Sequence, residues 1–255
     1  MPDDISPLIK SLAADLPSLT GGQLRWLQRA VSVLLAEHAF ALVRTDLLDA
    51  GTLQDFGDAI RLHHSFSAEP FRKEKFEYAF VKVFAMRGHG ASLAPKGNPG
   101  YDVMLDGVRF SLKTQADAGV QEDFLWISKF MELGKGKWGD QAEDLGRLRD
   151  QFLAHLEKYD RILTLRTLHK QPLWKYELVE IPKDLLARAS AGTLAMQMES
   201  KQDPKPGYCY VREDNGLSLF DLYFDAGGER KLQIKNLRKA ACTVHATWEF
   251  AIPPE

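Results

Sequence analysis

Asp106-Gly107 lies between two runs of alternating character, and no other pair constrains the chain as tightly. An Asp-Gly dipeptide adopts positive φ at little cost and suits the two-residue loop of a β-hairpin. Tyr101 to Leu105 is then the incoming strand and Val108 to Gln115 the outgoing one. Side chains alternate along a strand, so Val108, Phe110, Leu112 and Thr114 share one face, and Arg109, Ser111, Lys113 and Gln115 the other. The first row is apolar enough for a core. The second is polar with a lysine at its centre, and Asp102 on the neighbouring strand is placed to face it.

Upstream of the hairpin the pattern is helical. Thr20 is placed to cap a helix whose Leu24, Leu27, Val31, Leu34 and Leu35 recur at helical spacing, a pattern that runs on to Val43. A shorter helix is expected over Asp46 to Leu62. His63-His64 follow, and adjacent histidines on a helix point to different faces, which favours solvated or capping roles over metal binding. Pro70 fits the first position of a helix carrying Phe71, Phe76, Phe80, Val81, Val83 and Phe84. Glu77 falls on the stripe made by Phe80, Val81 and Phe84. A carboxylate there is costly unless it is paired or binds a cation. Lys73, four residues earlier, offers a pair, and a functional site offers the other explanation.

Between that helix and the hairpin, Met86 to Gly100 holds four glycines and two prolines and reads as a loop. It brings Arg87 and Lys96 towards the hairpin. Its glycine spacing fits neither a P-loop nor a dinucleotide fingerprint.

Beyond the hairpin, Gln121 to Leu133 is apolar-rich and is expected to be helical in part. A helix over 141–158, strands over 161–168 and 173–181, and a helix from Pro182 through Leu185 and Leu186 towards Leu194 give α/β order. A mixed central sheet flanked by helices follows. The polar stretch Lys201 to Gly207 marks a boundary, after which four strands are expected, with Asn215-Gly216 and Gly227-Gly228 as turn signals. The chain thus divides into a helical N-terminal region (1–68), an α/β core (69–200) and a β-rich C-terminal part (201–255) packed on that core.

Composition limits the function classes. A chain of 255 residues, 45% hydrophobic and 27% charged, suits one large globular domain, or one domain with an appendage. The net charge of -2 makes no global case for nucleic acid, so any such case is local. It exists: Arg230, Lys231, Lys235, Arg238 and Lys239 fall in ten residues without an anion. A solvated edge strand, guarded by its lysines, is the plainer explanation of that run. Two cysteines, Cys209 and Cys242, make neither a cysteine-rich zinc site nor a disulfide framework, and suit the reduced cytoplasm. Cys242 and His245 form only a lone C-x-x-H. The acidic start, Met-Pro-Asp-Asp, is unlike a signal peptide, and no apolar run reaches the ~20 residues that span a bilayer.

The polar row of the hairpin has a specific chemical use. A carboxylate and a lysine on adjacent strands can hold a divalent cation and a water side by side. The lysine orients or helps deprotonate the attacking water and offsets the charge of a pentavalent phosphorus. Asp102 and the carbonyl of Leu112 offer two oxygens, the ligand type that Mg²⁺ takes.

Asp102, followed by Ser111, Leu112 and Lys113 across a tight turn, resembles the signature of the PD-(D/E)xK nuclease superfamily, and most closely that of type II restriction endonucleases. There an aspartate is followed about ten residues later by acid-any-lysine on the next strand. An upstream helix often adds a glutamate, which Glu77 matches. The resemblance covers roughly residues 70–182. It departs in two places. Tyr101, not proline, precedes Asp102, although Pro99 is close. Ser111 stands where the second acid is usual, as in some restriction enzymes that draw a glutamate from a helix. Glu77 is the first candidate for that acid, and Glu122, near the start of the helix expected after the hairpin, the second.

What the resemblance implies is a Mg²⁺-dependent, sequence-specific endonuclease acting on double-stranded DNA, with Asp102, Lys113, Ser111, Glu77 and Gln115 in the catalytic site. Asp102, Glu77 and Glu122 are the candidate metal ligands. Arg87, Lys96, Arg230, Lys231, Gln233, Lys235, Asn236, Arg238 and Lys239 become candidate DNA contacts, since such side chains read base edges and phosphates. Palindromic sites cut on both strands imply a homodimer. The rival expectations are a repair or structure-specific nuclease on the same core, a DNA-binding protein with a degenerate site, and an unrelated α/β interaction protein.

Overall fold

The computed structural model describes residues 5–98, 100–117 and 119–254. Pro99 and residues 1–4, whose sequence was considered above, lie outside the described residues. The helices in chain order are α1 (Ser6–Asp15), α2 (Gly21–Leu35), α3 (Ala50–His64), α4 (Lys73–Met86), α5 (Asp144–Leu156) and α6 (Lys183–Ala187). The strands are β1 (His38–Leu42), β2 (Ala91–Leu93), β3 (Val103–Leu105), β4 (Val108–Gln115), β5 (Phe124–Glu132), β6 (Arg161–His169), β7 (Leu173–Glu180), β8 (Thr193–Met196), β9 (Gly207–Arg212), β10 (Ser218–Asp225), β11 (Lys231–Arg238) and β12 (Thr243–Ala251).

The strands form two sheets. The first runs β1-β12-β7-β6-β4-β3-β2, and the second β5-β11-β10-β9-β8. Pairing in the first is antiparallel except for β4 against β6, which makes it mixed. One face of this sheet carries α3 and α4, sealed by Phe56, Phe76, Phe80, Phe84, Phe110 and Leu112 among others. The other carries α5 and the second sheet, with Phe130, Phe152, Ile162, Phe220 and Ile234 between them. The architecture is α/β with helices flanking a mixed sheet, as the order of elements indicates. The first sheet draws strands from all three segments of the chain: β1 from 1–68, β2, β3, β4, β6 and β7 from 69–200, and β12 from 201–255. No described helix is long and apolar enough to cross a membrane.

The hairpin forms at Asp106-Gly107, with φ of 48° and 84°, the paired positive values of a two-residue turn. β3 and β4 pair with Val103 opposite Phe110 and Leu105 opposite Val108. β4 is interior, so both of its faces are covered: Phe110 and Leu112 are buried on one side, Ser111, Lys113 and Gln115 on the other.

Several elements differ from the pattern. The helix expected to reach Val43 stops at Leu35, and His38–Leu42 pairs with β12 as an edge strand. That short stretch suits either period, and pairing with β12 decides it. Gln121 to Leu133 holds a strand, not a helix. Leu125 and Ile127 point into the core while Trp126 points out, and β11 takes the pairing. α4 opens at Lys73 after an extended Arg72, so Pro70 lies before the helix and not at its first position. Leu194 lies on β8, since α6 is a single turn. β11 is flanked by β5 and β10 and is therefore no edge strand.

Candidate active site

Asp102 sits just ahead of β3, where its main chain is still held in the ladder: its N–H donates to the Phe110 carbonyl at 2.8 Å, and its carbonyl accepts from Ala94 N–H at 2.9 Å. The carboxylate is therefore fixed at both ends of its residue. One oxygen, Oδ2, accepts from Leu112 N–H at 2.7 Å and from Ser111 Oγ at 3.3 Å. Lys113 Nζ lies 4.0 Å from that same oxygen. The other oxygen, Oδ1, receives Lys73 Nζ at 2.8 Å, and this ammonium also lies 3.4 Å from Glu77 Oε1. Lys73 and Glu77 are one turn apart on α4. The strand pair and the helix thus bring two carboxylates and two lysines into one cluster.

Glu77 was open to two explanations, an ion pair with Lys73 or a place in a site. The structure forms the ion pair, and the same Lys73 ammonium joins Glu77 to Asp102. Strand residues direct their N–H and C=O to the same side, so the Leu112 carbonyl also leaves towards Asp102. Two carboxylates and one carbonyl are hard oxygen donors of the kind that bind Mg²⁺-like cations. The Ser111 hydroxyl serves Asp102 as a hydrogen-bond donor.

Burial shapes the electrostatics. It pushes the Lys113 ammonium down to about 8; the negative charge of Asp102 opposes this and the positive charge of Lys73 adds to it. The Phe130 ring faces this ammonium at 5.4 Å. Burial likewise raises Glu77, opposed by Lys73 and reinforced by Asp102. At Lys73, burial favours the neutral form, but the charge and hydrogen bond of Asp102, then Glu77, outweigh it and raise the group. Two residues that the sequence did not flag stand nearby. His155 is held down to about 4 by burial and then by the charge of Lys113. The Tyr159 hydroxyl is buried without a hydrogen-bond partner, and burial together with Asp102 raises it. Lys73, Lys113, Thr114, Lys129 and Phe130 border an open cleft of about 320 Å³ beside the cluster.

Glu122 is not brought to this cluster. It is exposed, paired with Lys175 at 3.3 Å and near His169 at 3.6 Å. Gln115, two residues beyond Lys113 on the same face, accepts on its Oε1 from Arg166 Nε–H at 2.9 Å. Arg166 is fully buried, ion-paired with Glu177 and bonded to the carbonyls of Gln121 and Phe124. An arginine inside the apolar run of β6 was the signal for this network. Gln115 also lines a second cleft, of about 240 Å³, with Trp126, Lys235 and Asn236.

The candidate DNA contacts divide. Arg87 caps α4 and binds Asp55 at 2.7 Å. Arg230 bonds the carbonyls of Lys135 and Gly136, Arg238 bonds the Ser218 carbonyl at 2.6 Å, and Lys239 reaches Glu177 at 3.2 Å. Gln233 is buried between Trp126 and Asp225. Lys96 is exposed in its loop, Lys231 is half-buried, and Lys235 lies 3.8 Å from the centre of the Tyr223 ring. Asn236 is exposed with φ of 54° and holds Asp221 at 2.7 Å.

One further cluster has metal-ligand side chains, Asp46, Glu180 and His245. The Arg161 guanidinium bonds both carboxylates, and His245 spans from Glu180 to Thr45. A cation there would face that guanidinium, so this is a brace tying the residues before α3 to β6, β7 and β12. His245 belongs to the brace, and both cysteines are buried free thiols.

No solved structure gave a significant match to the chain. Among curated proteins, the type II restriction enzyme SmaI of Serratia marcescens is 41% identical over 220 residues, 86% of this chain and 87% of that one. The family model for SmaI, a type II site-specific deoxyribonuclease, matches residues 12–250. With the family model and this relative both matching most of its length, the chain belongs to the SmaI family of type II site-specific deoxyribonucleases.

Proposed function

We propose that the reaction is run by the cluster of Asp102, Glu77, Lys113 and Ser111, with Mg²⁺ held by Asp102, Glu77 and the Leu112 carbonyl. The carrying observation is that the helix glutamate and the strand aspartate meet at one ammonium. The acid missing at Ser111 is thereby supplied from α4. When bound, such an ion supplies Lewis acidity and positive charge for phosphodiester hydrolysis. Ser111 and Leu112 N–H fix the orientation of Asp102. Lys113, walled in and just above neutral in its pKa, donates to the attacking water and to the charge that builds on the phosphoryl oxygens. Its proton is held loosely enough to exchange near physiological pH.

Duplex DNA is the substrate in this reading. It lies along the two clefts, which Lys113 and Gln115 join, being successive residues on one face of β4 about 7 Å apart. Lys96 and Lys231 suit phosphates. Lys235 and Asn236, at the far cleft, suit base edges. Arg87, Gln233, Arg230, Arg238 and Lys239 then serve mainly to hold the surface in shape. A second copy of the chain, working as a homodimer in the cytoplasm, cuts the other strand.

Lys113→Ala and Asp102→Asn test the site. Each is expected to abolish cleavage of plasmid DNA in Mg²⁺ while duplex binding, read by gel shift in Ca²⁺, stays within a few-fold. Discrete plasmid fragments from either variant at the native rate would remove the cluster from the chemistry.

A further inference from the structure

Lys73 lies outside the hairpin signature, yet its ammonium makes the shortest charged contact to the carboxylate pair. Its Nζ stands 2.8 Å from Asp102 Oδ1 and 3.4 Å from Glu77 Oε1. Those are the oxygens assigned above to the divalent cation. A Mg²⁺ ion needs its oxygens at 2.0–2.1 Å and keeps its own waters. An ammonium between the same two carboxylates and that ion cannot share the space. The two lysines of the cluster also differ in freedom. The Lys113 side chain is 9% exposed and wedged against Phe130, whereas that of Lys73 is 45% exposed in the first turn of α4, with solvent to swing into.

We propose that Lys73 is a built-in counter-ion that competes with the divalent cation for Asp102 and Glu77 and leaves them when the ion enters. This rests on the metal site proposed above. With Lys73 in place the cluster carries two acids and two lysines and is balanced without an ion. Metal loading therefore has to break the Lys73 contacts, and the displaced ammonium is free for a phosphate of the bound duplex. Half-exposed ion pairs are individually weak. The penalty on metal binding is accordingly modest, about tenfold in Kd, which is 1.4 kcal/mol.

The probe is Mn²⁺, titrated into the DNA-free protein while free ion is read by electron paramagnetic resonance. Lys73→Gln is expected to bind Mn²⁺ about tenfold more tightly than the native protein. Lys73→Arg, which keeps the charge, is expected to stay near the native affinity. Lys82→Gln, which removes an exposed charge elsewhere on α4, is expected to change nothing. Lys73→Met replaces Lys73→Gln if that variant fails to fold. Asp102→Asn separates the two readings. If it abolishes binding and the neutral Lys73 variants bind no more tightly than native, the counter-ion proposal is overturned and the metal site stands. If Asp102→Asn binds Mn²⁺ as the native protein does, the site reading is overturned and this proposal falls with it.

Discussion

Lys113 should cost the protein stability, and replacing it with methionine should produce an inactive but sturdier protein. The lysine has an ordinary pKa of 10.5 and is held at about 8 by burial. At 1.36 kcal/mol per pKa unit, that gap means the charged form is disfavoured in the native state by roughly 3 kcal/mol. Methionine has similar length and no charge to desolvate. Asp102 loses a partner only at 4.0 Å and retains Lys73, Ser111 and Leu112 N–H. The net gain expected for Lys113→Met at pH 7 is therefore about 1–3 kcal/mol, or about 2–6 °C in Tm for a chain of this size.

The sign with pH is fixed by the depressed pKa. Below about pH 8 both native and unfolded chains hold the proton, and the variant keeps its full advantage. Between about 8 and 10.5 the native protein has shed it and the unfolded chain has not, so the native protein gains stability relative to the variant as pH rises. Above 10.5 the difference is gone. Urea titrations of both proteins in EDTA, at one protein concentration and at pH 7, 9 and 10, measure this directly. A variant less stable than native at pH 7, or an advantage that stays constant to pH 10, would show that Lys113 carries no desolvation penalty.

Glu77→Gln should lower the cleavage rate by roughly 10²-fold or more, the scale of removing a site charge, while Glu122→Gln, changed only at an exposed pair, should cut within about twofold. Equal losses in a plasmid assay would mean that α4 does not supply the acid. Arg166→Ala leaves Glu177 buried with Lys239 alone and frees Gln115, so unfolding free energy should drop by about 3–5 kcal/mol. A loss under 1 kcal/mol in urea titration would contradict that reading of the network. Gly57→Ala should cost about 1–3 kcal/mol, because a Cβ there runs into the Phe40 ring that seats β1 on α3; an unchanged urea midpoint would contradict it.

What was legible in the sequence was local. The Asp106-Gly107 turn fixes the register of β3 on β4, and that register alone brings Ser111 and Leu112 N–H to Asp102. Glu77 stood out because a carboxylate on an apolar stripe needs an explanation. The failures share a cause, namely partners distant in sequence. Phe124 to Glu132 is an apolar run that suits helix or strand equally, and β11, more than a hundred residues away, settles it as a strand. The five cations of Arg230 to Lys239 looked like free positive charge, but Lys135, Glu177, Ser218 and the ring of Tyr223 take up four of them. A run of like charges says nothing of the carbonyls and acids that the fold will bring to it.

Ser111 looked at first like a defect, and the geometry gives it a different sense. The residue is buried, and its Oγ lies 3.3 Å from Asp102. An acid at this position would put a second negative charge within about 4 Å of the first, a repulsion of about 4 kcal/mol at an effective dielectric constant of 20. Such a repulsion has to be offset by a bound cation, a neighbouring lysine or a proton. Here the second charge has moved to α4, where Glu77 is only half-buried and Lys73 stands one turn before it. Strand serine, helix glutamate and helix lysine thus form a linked set. On the site proposed above, the serine relieves crowding at Asp102, the glutamate would restore the ligand charge, and the lysine would balance that charge until an ion arrives. In that reading, affinity for the ion is given up in return for a cluster whose two acids are balanced by two lysines without it.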